Sequence, residues 1–97
     1  MSDTFNPAFG AGVTISATTT SSATLVGGNA RQIVVTNLGS AVIYIDTGMA
    51  GIVATAADYP VLPGTQVSLS KNLDHTHVGV LASSGTQSVH VIPGLGF

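Results

Sequence analysis

The chain has 97 residues, enough for one domain with a modest core, and only 6% of them are Asp, Glu, Lys or Arg, against about 25% in an ordinary globular domain. With a net charge of −2 and Arg31 and Lys71 as its fixed cations, it lacks the basic footprint that nucleic acid requires. It contains no cysteine, which excludes disulfides and thiolate metal sites and leaves packing and sheet hydrogen bonding, helped by oligomerisation, to hold the fold.

Residues 1 to 12 carry Phe5, Pro7, Phe9, Gly10 and Gly12 without periodicity. They read either as a disordered tail or as an extended arm laid across the domain or a neighbour, with Phe5 and Phe9 as inserted anchors. The start, Met-Ser-Asp-Thr-Phe, lacks the positive and apolar regions of a signal peptide, and no apolar run approaches the ~20 residues of a membrane helix. The expectation is a product that stays in the cytoplasm, with no membrane partner.

From Gly12 to Thr18 the residues Val13, Ile15 and Ala17 alternate with Thr14, Ser16 and Thr18, the period of a half-buried strand. A polar turn follows, then a short strand over Ala23–Val26 and a reversal at Gly27-Gly28-Asn29. Arg31 to Asp46 is the densest β signal: two runs rich in β-branched residues flank Asn37-Leu38-Gly39-Ser40, which predicts a hairpin. Closing those four residues as the loop pairs Val35 with Val42 and Ile33 with Tyr44 on one face. The other face then carries Val34 with Ile43 and Gln32 with Ile45. Both faces are apolar, so both want a cover: the domain core on one side and another molecule on the other. Val34, Ile43 and Ile45 are the residues this register puts outside, and a one-residue slip would exchange them with Val42 and Tyr44.

Ile52 to Asp58 is ambiguous and reads as an irregular crossover. Tyr59-Pro60-Val61-Leu62-Pro63-Gly64 leads through a turn into a strand to Ser70 with Val67 and Leu69 on one face. After a loop at Lys71–Asp74, Val78, Val80 and Ala82 alternate inward, Ser83-Ser84-Gly85 turns the chain, and Val89 and Val91 mark the last strand. Pro93 to Phe97 reads as a second aromatic-ended tail. The fold expected is all-β: a two-sheet antiparallel sandwich, jelly-roll-like, of 7–8 short strands, spanning residues 13–92 between an arm (1–12) and a tail (93–97).

Chemistry is thin. Asp74-His75-Thr76-His77 clusters titratable groups, but a metal site would need a further ligand at fixed spacing, so no metal and no cofactor are expected. Serines occur outside any Gly-x-Ser-x-Gly elbow, and Asp3, Asp46, Asp58 and Asp74 fall at strand ends or loops, so no catalytic residue and no enzyme are expected.

Four stretches carry a family resemblance: Phe5-Asn6-Pro7-Ala8-Phe9-Gly10, Val35-Thr36-Asn37-Leu38-Gly39, Thr55-Ala56-Ala57-Asp58-Tyr59-Pro60-Val61-Leu62-Pro63, and Ile92-Pro93-Gly94-Leu95-Gly96-Phe97. With them the chain resembles the small all-β virion proteins of tailed bacteriophages, in particular head-decoration or cement proteins. The resemblance implies a jelly-roll-like module, a homo-oligomer (dimer or trimer), a major capsid protein as partner, and a place on the capsid surface of the virion. The capsid or oligomer contacts expected on the reading of the residues are Phe5, Phe9, Val34, Ile43, Ile45 and Phe97. The other reading is a tail or receptor- or sugar-binding β-module of the virion.

Overall fold

In a computed structural model, residues 6–7, 12–26, 31–72 and 74–95 are described, and all of their regular structure is β. Phe5, Phe9 and Phe97 lie outside the described residues. The strands are β1 (Asn6–Pro7), β2 (Val13–Ala17), β3 (Ser22–Leu25), β4 (Gln32–Asn37), β5 (Ile43–Gly48), β6 (Tyr59–Val61), β7 (Gln66–Ser70), β8 (His77–Ala82) and β9 (Gln87–Leu95).

They form two antiparallel sheets. In the first the order is β2-β9-β4-β7, with the two residues of β1 pairing the far end of β9; in the second it is β3-β8-β5-β6. The topology follows from one long pairing of the first half of the chain with the second: β2 with β9, β3 with β8, β4 with β7, β5 with β6. Rolling that ribbon brings β9 against β4 and β8 against β5 and closes two sheets over one core. This is the jelly-roll way of folding eight strands.

The core lies between the sheets and consists of Ile15, Ala17, Val26, Ile33, Val35, Ile43, Ile45, Val61, Val78, Val80, Ala82, Val89 and Val91, with Val13, Val67 and Leu69 packed partly buried against it. Most are β-branched, as a pleated inner surface favours. The alternations read for β2, β7, β8 and β9 fall inward as expected, and Ile52 to Asp58 is an irregular connection without a strand.

Two expectations are corrected. The first is the hairpin. β4 pairs β7 and β9, β5 pairs β6 and β8, and the two never pair with each other. Residues 38–42 are a corner that carries the chain from one sheet to the other. The parity of the side chains shows why the register failed: a four-residue loop would set odd residues of β4 opposite even residues of β5. In the structure Ile33, Val35, Asn37, Ile43 and Ile45, all odd, face inward together from opposing sheets. Ile43 (0% exposed) and Ile45 (3%) are therefore core residues and form no outer face; of the three residues expected outside, only Val34 is there, half-buried beside Ile92. The second concerns the C-terminal boundary. β9 runs through Leu95, with Pro93 opposite Ile33 and Gly94 opposite Gln32, so residues 93–95 belong to the sheet rather than to a tail.

Candidate functional site

The two outer faces of the sandwich differ in chemistry, and that difference locates the candidate contact surface. Among the described residues, the first sheet turns outward Thr14 and Ser16 from β2, Ser88 and His90 from β9, Gln32 and Thr36 from β4, and Gln66, Ser68 and Ser70 from β7, around the apolar pair Val34 and Ile92. Gln66 Nε2 donates to Thr36 Oγ1 at 2.8 Å, so part of this hydroxyl and amide surface satisfies itself. It is a face at ease in water.

The second sheet is different. The inward run of Val78, Val80 and Ala82 on β8 and of Ile43 and Ile45 on β5 turns Leu81 and Tyr44 outward, directly opposite each other, and Pro60 of β6 is Tyr44's partner on the other side. The row Leu81-Tyr44-Pro60 crosses three strands. Next to it, residues 52–54 lie over Gly79: a Cβ there would meet Ile52 Cγ2 and the Ala54 nitrogen, each at 3.4 Å. Glycine in a strand marks such a close backbone approach. The crossing is fixed at its far side by Ala54 N–H donating to Ser21 Oγ at 2.8 Å, and at its end by Thr55 N–H donating to Asp58 Oδ2 at 2.7 Å. Val53 is left 62% exposed, and Leu25 and Met49, at the β3–β8–β5 end of the same sheet, are 64% and 60% exposed. Asp46 is the carboxylate on this face, and one of its oxygens already accepts the Thr47 N–H at 2.8 Å.

At one end of the sandwich the corner between the sheets is built on two buried amides. Asn37, fully buried, accepts the Gly39 N–H at Oδ1 (2.9 Å) and donates from Nδ2 to the carbonyls of Ala41 (2.9 Å) and Val61 (3.0 Å). Gln87 accepts the Ser40 N–H at 2.7 Å and donates to the Ser84 carbonyl at 3.0 Å. Leu38 and Leu62 project from this end, 60% and 57% exposed.

The titratable cluster read from the sequence is dispersed. His75 sits in the loop before β8 with its Nδ1 2.9 Å from Thr47 Oγ1, while His77 on β8 pairs with Thr76 Oγ1 at 2.8 Å. Lys71, 9% exposed, donates from Nζ to the His75 carbonyl at 2.8 Å, and burial pushes its pKa below the usual lysine value while Asp74 pulls it back up. Thr47, Ser70, Lys71, Asn72 and His75 line an open cavity of about 270 Å³. Among the described residues no three His, Asp or Glu side chains gather as a metal site would require.

Of the contact residues expected from the sequence, then, Val34 is outside, Ile43 and Ile45 are in the core, and Phe5, Phe9 and Phe97 are outside the described residues. Leu81, Pro60 and Val53 were missed, and Tyr44 is the residue that the one-residue slip of register would bring outside. The signal for Leu81 was present, since Val78, Val80 and Ala82 inward leave Leu81 outward.

No family model matches the chain. No curated protein matches it. Solved structures that match include one described as "Bacillus endospore appendages form a novel family of disulfide-linked pili", 15% identical, with a TM-score of 0.48, over 97% of this chain and 89% of that one. At that level the likeness bears no functional reading.

Proposed function

We propose that the chain is a structural virion protein, a capsid decoration or cement module that binds the outside of a phage head and stabilises the shell by bridging capsid subunits. The observation that carries the reading is the asymmetry of the sandwich. One outer face is covered with hydroxyls and amides, while the other presents the row Leu81-Tyr44-Pro60 beside Val53, with Leu25 and Met49 at its end. A single apolar face on a chain with this few charges fits attachment to a large partner. The sequence resemblance to head-decoration proteins agrees with it.

Stabilisation by such a module needs no turnover. A protein that binds across two neighbours only when they are assembled adds its binding free energy to the cost of separating them. Since apolar burial and main-chain or Ser/Thr hydrogen bonds supply the contact, association depends weakly on salt. Co-sedimentation with phage heads stripped of the protein tests the reading. Leu81→Asp buries a charge in the contact and should weaken binding by at least tenfold, while Ser16→Asp on the polar face should leave it within about twofold. Equal binding of the two variants, or a steep loss of wild-type binding between low and high salt, overturns it.

A further inference from the structure

The four strand edges of the sandwich are not equivalent. β6 is three residues long and carries Pro60, two devices that blunt an edge against pairing. β2 has its inward Ile15 and Ala17 already buried, 5% and 0% exposed, so a further strand would cover little. β3, Ser-Ala-Thr-Leu, sets serine against the exposed Leu25 when paired antiparallel with itself. β7 differs from all three.

β7 reads Gln66-Val67-Ser68-Leu69-Ser70, with no charge, no proline and no bulge. Its ladder to β4 is bracketed by Asn37 N–H donating to the Thr65 carbonyl at 3.0 Å and Lys71 N–H donating to the Arg31 carbonyl at 2.8 Å. Antiparallel alternation between those bonds gives the main-chain groups of residues 67 and 69 to β4 and leaves those of Gln66, Ser68 and Ser70 pointing out of the sheet. Val67 and Leu69 face the core yet stay partly exposed, because among the described residues no strand lies beyond them.

We propose that β7 is the seam of a two-fold dimer, in which a second copy of this chain adds its own β7 antiparallel about Ser68 and joins the two first sheets into one. The strand is self-complementary about that residue. Ser68 then exchanges both main-chain hydrogen bonds with its partner's Ser68, and Gln66 does so with the partner's Ser70, about six bonds in all. Val67 falls opposite the partner's Leu69 as a non-hydrogen-bonded pair, the kind whose side chains approach most closely, so the four half-covered apolar side chains cover one another. A two-fold contact is closed and self-limiting, which keeps an uncharged edge from propagating into a fibre. The seam leaves the apolar face of the second sheet free, so it stands or falls independently of shell attachment.

Sedimentation of the intact protein at about 100 µM, where a dimer of micromolar affinity is nearly fully formed, should give twice the 9.6 kDa chain mass. Ser68→Lys places two like charges across the axis and should return the monomer with its β circular dichroism intact, since the main chain of residue 68 takes no part in the β4 ladder. Ser68→Cys adds the chain's one thiol, and the Cα separation of about 5.5 Å in a hydrogen-bonded pair suits a disulfide. This variant should cross-link on mild oxidation, and Ser16→Cys on the β2 edge should not. A wild-type monomer at that concentration, a Ser68→Lys protein that still sediments as a dimer, or cross-linking of Ser16→Cys in place of Ser68→Cys overturns the seam.

Discussion

Asn37 ends β4 in one sheet, and its side-chain amide donates to the carbonyl of Val61 in β6 of the other sheet at 3.0 Å. The same nitrogen holds the Ala41 carbonyl and the oxygen holds the Gly39 N–H, so the corner between the sheets is wrapped around one buried amide. Asn37→Ala strips these partners without giving them water, and unmade buried hydrogen bonds cost about 1–3 kcal/mol each. Chemical denaturation should show a loss of about 2–4 kcal/mol, a large part of the stability of a domain this size. Asn37→Asp should do no better, because a carboxylate keeps the shape but cannot donate to two carbonyls. A loss below about 0.5 kcal/mol for Asn37→Ala would show that the corner holds without the amide.

Gly39 is required for a different reason. A Cβ on it would sit 2.8 Å from Gln87 Cβ, close to the main chain of β9 and not at the yielding end of a side chain. Gly39→Ala should push Gln87 away and break its bond to the Ser40 N–H. The expected cost is about 1–3 kcal/mol by thermal or denaturant unfolding. Gln87→Gly in the same background removes that Cβ and should make the alanine cheaper, which a double-mutant cycle reads directly.

Neighbouring residues on β5 should behave in opposite ways. Ile43 is fully buried, so Ile43→Asp should abolish the cooperative fold, as judged by loss of the unfolding transition. Tyr44 points outward between Leu81 and Pro60, so Tyr44→Asp should fold with its melting temperature nearly unchanged and lose attachment to heads. Unfolding of both variants would mean that the outer face is itself part of the core.

Lys71 gives a pH signature. Burial depresses its pKa in the folded chain below the ordinary value of 10.5, with Asp74 opposing. Between the lowered folded value and 10.5 the unfolded chain binds the proton and the folded chain does not, so stability rises with pH across that window. Lys71→Met removes the titration. The wild type should therefore gain stability relative to Lys71→Met as pH is raised toward 10.5, and a difference that stays flat or falls would show that the ammonium is not held at a desolvation cost.

How far the sequence carries depends on which physical signal each residue emits. Period-two alternation over Val13–Ala17, Gln66–Ser70 and His77–Ala82 marks strands and their inner faces, because one side of each meets a core and the other meets water. At β4 and β5 that contrast fails, since Val34 and Tyr44 are apolar or aromatic on the outer side, and local turn chemistry at Asn37 and Gly39 then suggests a hairpin. The same two residues build the corner, but through a bond to Val61, 24 positions away, which no local pattern contains. The candidate face was hidden for a related reason. Leu81, Pro60 and residues 52–54 come together only after β8, β6 and the irregular segment are assembled on the second sheet.

The measurement that bears most directly on the central claim is the survival of phage heads under heating. Heads stripped of the protein should release DNA at a lower temperature than native heads, and adding back the wild-type chain should restore the native value. Adding Leu81→Asp, shown to be folded by circular dichroism, should leave them as fragile as stripped heads. Stripped and native heads that fail at the same temperature would contradict a cementing role, and restoration by Leu81→Asp equal to wild type would contradict the face assigned to it.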